Sequence, residues 1–253
     1  MISDGINALV AQNVLLIALV FARIGTAIIL LPGFGENYVP PRTKISLGAL
    51  ISFALYASLP LPLVPDQPVM IAILFAGEAL IGAYIAICGR LFITAIHVLG
   101  GILGFAIGLS NALAPNDGNF EGASALAGLL QLGAIAAIFA TDTHHIVLSG
   151  LIRSYQAIPV ATFLIQDMVE QIARLGANAF YIAVMIGAPF LLFTVVMNLA
   201  LGLANRVMPT MQVFFVGGPG MIILGFMLLA IMTPAILNTV VGGFADWMIA
   251  LRF

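Results

Sequence analysis

The side chains best suited to metal chemistry lie close together near the middle of the chain. Asp142, His144 and His145 carry a carboxylate and two imidazoles within four residues, and these ligand types suit a transition-metal ion. Successive side chains on a helix point about 100° apart, so we expect the two histidines not to share a metal. We instead interpret Thr141 or Asp142 as the cap of the next helix, because either side chain can accept a hydrogen bond from an orphan N–H. The expectation is therefore that no metal site is present.

Two charged residues, Arg23 and Glu78, stand alone inside long apolar runs. A charge at the centre of a bilayer costs about 2.5–3.5 kcal/mol on insertion scales, so such residues usually pair or line a polar path. Their similar depths in two predicted helices allow an ion pair. Such a pair could be structural, could contact a partner subunit, or could belong to a proton or ion pathway.

The sequence contains no motif of an enzyme active site. The patterns H-E-x-x-H and G-x-S-x-G are absent, as are the P-loop and Rossmann glycine patterns. The single cysteine, Cys88, excludes an intrachain disulfide and a cysteine-rich metal site. A net charge of −2, with only eight Lys and Arg, gives no basic patch for nucleic acid. We expect no catalytic residues, no cofactor and no nucleic-acid partner.

The elements that carry these residues are predicted to be membrane helices. Of the 253 residues, 62% are hydrophobic and 7% are charged, whereas soluble domains carry roughly 25% charged residues. Apolar runs near the length that a spanning helix needs, about 20 residues, occupy 13–31, 45–64, 69–89, 91–113, 123–140, 146–165, 177–204 and 213–241. Turn-rich connections are expected at 32–43, 60–68, 115–122, 141–145, 166–174 and 208–212. We predict an all-α, polytopic membrane protein of about six to eight apolar helices in a single domain, 1–253.

Small residues recur along one predicted helix. Gly100, Gly104 and Gly108 are spaced by four, which places them on one helix face. Small residues on one face allow the backbone of another helix to approach closely. We therefore expect this face to pack tightly against a neighbouring helix, which could belong to another subunit.

The later part of the chain carries a second stripe and a cluster of helix breakers. Asn198, Gly202 and Arg206 are also spaced by four, and Pro209 follows them. The sequence Gly-Gly-Pro-Gly at 217–220 predicts a break near the start of the last helix. Broken helices at membrane depth are tolerated only when they are buried in protein or line a cavity. This pattern favours channels, transporters and multi-subunit gates.

Taken together, these landmarks resemble the FliR family, the flagellar counterpart of an export-gate subunit of type III secretion. The matching residues keep their order over nearly the whole chain: Arg23, Pro32, Phe34, Gly35, Pro40, Arg42, Glu78, Gly82, His144, His145, Ser154, Pro159, Ala188, Pro189, Asn198, Gly202, Arg206, Pro209, Val213, Phe214 and Pro219. The chain departs from the family pattern at Thr210, Gln212 and Ala114, where the family often has Gln, Asn and Asp.

The resemblance implies a role in moving unfolded flagellar proteins across the bacterial inner membrane, at the flagellar basal body. It implies partners as well: the other small membrane subunits of the gate and the membrane protein that switches substrate specificity. In such an assembly the apolar helices form a closed cone largely lifted out of the bilayer. High hydropathy would then reflect subunit interfaces as much as lipid contact.

The connection at 109–122 is a candidate plug that seals the gate at rest. Pro115 and Gly118 disfavour regular helix, and the apolar Leu109, Leu113 and Phe120 could fill a constriction. The resemblance implies that the corresponding loop lies inside the gate. The alternative is an ordinary surface connection. The predicted plug comprises Leu109, Ser110, Asn111, Ala112, Leu113, Ala114, Pro115, Asn116, Asp117, Gly118 and Phe120.

Other functional classes remain open at the level of sequence. A secondary transporter would explain broken helices with buried charges, but inverted repeats and midplane coupling carboxylates are not evident. An intramembrane enzyme rests only on His144 and His145. An export-gate subunit of the injectisome branch is the nearest alternative within the family.

Overall fold

The computed structural model describes residues 2–59, 65, 67–109, 121–160, 162, 165–207 and 213–250. These ranges contain α-helices and no β-strand, which confirms the predicted fold class. Seven α-helices and the short 3₁₀ turn Tyr56–Ser58 are described. The α-helices are α1 (Ile2–Leu30), α2 (Pro41–Leu55), α3 (Pro68–Ala106), α4 (Glu121–Ala140), α5 (Thr143–Ala157), α6 (Ile165–Val207) and α7 (Val213–Ala250).

Several described helices are apolar and long enough to cross a membrane. They are α1 from Val10, α3, α6 and α7 from Gly217, and α4 with α5 forms a fifth candidate that is bent by 76°. At 1.5 Å per residue, the 39 residues of α3 extend about 58 Å and the 43 residues of α6 about 64 Å. Both lengths are roughly twice the 30 Å hydrocarbon core of a bilayer. Much of each helix must therefore lie outside the hydrocarbon core or steeply tilted within it.

Two of the predicted helix boundaries are wrong. The runs 69–89 and 91–113 were expected to be separate spans, but both belong to α3, which continues through Arg90 and ends at Ala106. The segment 166–174 was expected to be a connection, but it forms the first turns of α6. The sequence there is polar because the helix surface is exposed, and Glu170 pairs with Arg174 one turn later.

The predicted break at 217–220 is also wrong, since α7 runs without interruption through Pro219 and Pro234. Pro189 likewise lies inside α6. A proline removes one hydrogen bond of the helix, and apolar membrane helices tolerate this loss better than soluble ones because nearby groups satisfy the freed backbone. The sharp break lies instead between α4 and α5, where Asp142 has the left-handed φ of 55°.

The chain divides into two compact units. The first comprises Met1–Arg90, Thr141–Leu175 and Ala245–Phe253, and the second Leu91–Ala140 and Gly176–Phe244. In the first unit, one face of α1 is buried through Val20, Ile24 and Ile28 at the four-residue spacing of a helix. In the second unit, the ring centroids of Phe92 and Phe244 lie 5.9 Å apart, which is a normal aromatic contact.

Candidate functional site

The first unit contains a charge cluster that is shielded from solvent. The side chain of Arg23 in α1 has 0% exposure and that of Glu78 in α3 has 1%. Arg23 Nε donates to Glu78 Oε2 at 2.7 Å, and Nη2 donates to Glu78 Oε1 at 2.9 Å. This is the bidentate geometry in which a guanidinium and a carboxylate bind most strongly. The two charges singled out in the sequence are thus direct partners.

The remaining arm of the guanidinium reaches the end of α5. Arg23 Nη1 donates to the backbone carbonyl of Ser154 at 3.1 Å and to that of Ile158 at 3.0 Å. An arginine has five N–H donors, and four of them are used by these two carbonyls and Glu78. The ring of Tyr155 lies under the guanidinium, with Cζ 4.0 Å from the ring centroid. The positive charge of the guanidinium also interacts favourably with the negative, C-terminal end of the α5 dipole.

The local sequence explains why α5 ends at this point. Pro159 disfavours the helical conformation in the residue before it, and Ile158 is extended, with φ −125° and ψ 90°. The last carbonyls of a helix have few partners within the helix, so that of Ile158 is available to Arg23. The carbonyl of Ser154 accepts the N–H of Ile158 at 2.8 Å and receives Arg23 as its second donor. Ser154 and Pro159 were matched to the family from sequence, but their part in this cluster was not foreseen.

Gly82 allows α1 and α3 to come close enough for the ion pair. It lies one turn after Glu78 on the same face of α3, and a Cβ added there would overlap the carbonyl oxygen of Arg23. Glycine is thus required at this position by the backbone of the neighbouring helix. The cluster joins α1, α3 and α5. Because both oxygens of Glu78 and most donors of Arg23 are committed, the geometry favours a structural tie over a proton pathway.

Two other cations, Arg90 and Lys44, bind backbone carbonyls at the end of α1 and in the turn that follows it. Arg90 Nε donates to the carbonyl of Leu30 at 2.6 Å, and Lys44 Nζ donates to that of Gly35 at 2.9 Å. A Cβ at Gly35 would come 2.5 Å from the carbonyl oxygen of Ile29, so the glycine is needed for this close turn. Neither cation was singled out as a turn anchor from sequence, because their partners are backbone carbonyls.

The N-terminal residues of the family pattern surround this turn. Pro32 is buried and Phe34 half-buried within it, whereas Pro40 and Arg42 are exposed at the start of α2. Pro40 occupies the position before the helix, and Pro41 begins it, which is where a proline is best tolerated. These residues therefore shape the link between α1 and α2.

The glycine stripe follows the prediction only in part. Gly100 is buried, and a Cβ there would lie 2.5 Å from both Cα and Cβ of Ala127 in α4. Gly104 is buried as well. Gly108 does not share the helix face, because α3 ends at Ala106 and Gly108 has the left-handed φ of 79°. Its position just beyond the end of a helix is a common one for glycine.

The second stripe lies on the outside of the second unit. Asn198, Gly202 and Arg206 are all exposed, and the Asn198 side chain donates to the carbonyl of Thr194 in its own helix at 2.9 Å. Around them, α6 also exposes large apolar side chains, among them Leu192, Val195, Leu199 and Leu203. Pro189 is half-buried in α6, and Pro219 is exposed in α7.

Some predicted positions fall elsewhere. Pro209 and plug residues 110–120 lie outside the described residues, and Phe214 is the second residue of α7. Leu109 is the one member of the predicted plug within the described ranges, and it is half-buried. The plug remains a prediction.

The arrangement around Asp142 differs from the expected one. Asp142 does precede α5, but its side chain makes no capping hydrogen bond. The rings of His144 and His145 do not diverge, since their centroids are 4.2 Å apart. His144 and His145 lie in the first turn of α5 and follow the left-handed Asp142. The conformations of their side chains bring the two rings together although their helical positions diverge.

The fold and the buried cluster define the class of protein. It is an all-helical, polytopic membrane protein in which a buried ion pair ties three helices together. Within that class, the chain belongs to the family described as bacterial export proteins, family 1, which it matches over residues 14–247. The resemblance stated from the sequence is thereby confirmed.

Individual relatives cover most of the chain. The flagellar biosynthetic protein FliR of Caulobacter vibrioides is 33% identical over 229 residues, which are 87% of this chain and 89% of the relative. FliR of Escherichia coli is 28% identical over 218 residues, covering 86% of this chain and 82% of the relative. FliR of Bacillus subtilis is 28% identical over 222 residues, covering 84% of each.

Proposed function

We propose that the chain is a subunit of the flagellar type III protein export gate, forming with partner subunits the inner-membrane channel for unfolded flagellar proteins. The observation that carries this proposal is the family match over residues 14–247. The relatives that match the chain over most of their length are named as flagellar biosynthetic proteins. The same relatives favour the flagellar branch over the injectisome branch.

The surface of the helices supports a role inside an assembly. The exposed apolar side chains of α6 include Leu192, Val195, Leu199 and Leu203, each more than half exposed. Apolar surface on this scale requires a cover of lipid or protein. Because α6 is about twice as long as the hydrocarbon core of a bilayer is thick, lipid covers all of it only if the helix is steeply tilted. Neighbouring gate subunits are the cover that we propose for the remainder.

We propose a structural role for the buried ion pair and no catalysis by this chain. Four of the five N–H donors of Arg23 and both oxygens of Glu78 are engaged in hydrogen bonds between the two side chains and to the end of α5. Such a tie preserves the arrangement of three helices while substrates move past. Export energy then comes from elsewhere in the apparatus.

The test is export by a strain that lacks this gene. We expect loss of swimming and loss of hook and filament proteins from the culture medium, with both restored by the wild-type gene. Normal secretion of these proteins by the deletion strain would contradict the proposal. Loss of an unrelated small-molecule uptake activity, with secretion intact, would favour a secondary transporter.

Site-specific crosslinking tests the proposed cover of α6. A photoreactive residue at Leu192 or Leu199, both exposed and apolar, is expected to capture another gate subunit in living cells. The matched control is Asp167, which is exposed in the polar first turn of the same helix. Crosslinks that involve only lipid at Leu192 and Leu199 would show that this face is not a subunit interface.

A further inference from the structure

The break between α4 and α5 gathers three potential metal ligands. Asp142, His144 and His145 each offer one ligand atom, and these atoms all lie within 4.8 Å of one another. Asp142 and His145 are exposed and His144 is half-buried, so an ion could enter from the surface. The two imidazole rings are 4.2 Å apart between centroids and tilted by 38°.

The backbone at Asp142 accounts for part of this convergence. In a continuous helix, neighbouring side chains would point about 100° apart. Here Asp142 adopts the left-handed conformation, with φ 55° and ψ 14°, immediately before α5 begins at Thr143. Asp and Asn are among the few residues with side chains that adopt this conformation readily. The left-handed residue thus places the Asp142 carboxylate beside the first turn of α5. The side-chain conformations of His144 and His145, which are neighbours in that turn, bring their two rings together.

We infer that Asp142, His144 and His145 form a binding site for a divalent transition-metal ion of the Zn²⁺ type. Zinc binds imidazole nitrogen and carboxylate oxygen at about 2.0–2.2 Å, so two ligand atoms of a tetrahedral zinc ion lie about 3.4 Å apart. The ligand atoms, already within 4.8 Å of one another, need to close by at most about 1.4 Å to reach that geometry, and rotations of the side chains supply this distance.

The ligand set also defines what the site should reject and what it leaves open. Ca²⁺ and Mg²⁺ prefer carboxylate, carbonyl and water oxygens, and two imidazoles suit them poorly. Three protein ligands leave at least one position on a tetrahedral ion for water or for a group from a partner. A bound ion would connect Asp142, in the turn, to the first helical turn of α5.

Metal binding to the purified full-length chain tests the inference. The protein should carry a streptavidin-binding tag, because a polyhistidine tag would itself bind metal. We expect Zn²⁺ to bind with one ion per chain in calorimetry, and Co²⁺ to give the visible absorption of a nitrogen- and oxygen-ligated ion. Asp142→Asn and His145→Ala should each weaken binding at least ~10-fold, since even outer-shell partners of metal ligands contribute 10–100-fold.

The control variant is His97→Ala. His97 is the one histidine of the sequence outside the proposed site, and it is exposed on α3. This variant should bind Zn²⁺ like the wild type. Asp142→Asn preserves tolerance of the left-handed backbone, and far-ultraviolet circular dichroism will show that each variant is folded. Absence of stoichiometric binding, or binding that is unchanged in both Asp142→Asn and His145→Ala, would overturn the inference.

Discussion

Removing the charge of Glu78 should destabilise the fold far more than removing an exposed charge. Glu78→Gln retains the shape of the side chain but leaves the buried Arg23 guanidinium without its counter-ion. Breaking a buried pair by removing one partner costs about 3–5 kcal/mol, because an uncompensated charge is left behind. We expect a loss of this size in the free energy of unfolding of Glu78→Gln.

The matched control is the Glu170–Arg174 pair at the start of α6, whose side chains are 58% and 72% exposed. Exposed pairs contribute between about 0 and 1 kcal/mol, so Arg174→Ala should change stability by no more than that. Equilibrium unfolding of the purified variants in mixed detergent micelles measures both changes, and swimming reports the consequence in cells. A loss in Glu78→Gln no greater than that in Arg174→Ala would refute the reasoning.

Exchanging the two charges should restore only part of the cluster. Exchanging the residues as Arg23→Glu with Glu78→Arg retains an ion pair in principle. It also places a carboxylate where the guanidinium donated to the carbonyls of Ser154 and Ile158. Carboxylate and carbonyl oxygens are both acceptors. We therefore expect the double variant to recover less than half of the free energy of unfolding that either single charge reversal loses. Full recovery in the swap would indicate that α5 contributes little to the cluster.

Three further predictions concern helix packing and the predicted plug. Gly82→Ala should cost about 1–3 kcal/mol by overpacking α1 against α3, whereas Gly101→Ala, with open space around it, should be neutral or up to about 1 kcal/mol stabilising; equal effects in unfolding experiments would contradict this. Gly100→Leu should reduce the yield of assembled complex, because its Cβ would meet Ala127, and normal assembly would show that the contact can yield. Deleting 110–115 should raise the ion conductance of cells at equal amounts of assembled complex, and unchanged conductance would exclude the loop as the principal seal.

The pairing of the buried charges was open to sequence reasoning, but their third partner was not. An isolated charge in an apolar run requires a counter-charge wherever the chain brings one, and Arg23 and Glu78 were the obvious pair. The carbonyls of Ser154 and Ile158 come from residues more than 130 positions away in the sequence. Backbone carbonyls have no residue type, so nothing in the sequence pattern marks them as ligands of a charge.

Helix boundaries were predicted less well because Gly and Pro mean different things in apolar helices. The cluster at 217–220 predicted a break, yet α7 continues, since one missing hydrogen bond is a small loss for a 38-residue helix. Conversely, Gly108 was predicted to lie on a helix face, although it lies just beyond the end of α3 and has a left-handed φ. The sharp bend at Asp142 carries neither residue type.

The export-gate assignment is tested most directly by identifying the proteins that co-purify with the chain. The chain should be expressed from its own gene with a small affinity tag, extracted in mild detergent, and analysed by native mass spectrometry. We predict recovery within a stable hetero-oligomer that contains other small membrane proteins of the flagellar export apparatus. Recovery of a folded, isolated chain from cells that are secreting flagellar proteins normally would contradict that assignment.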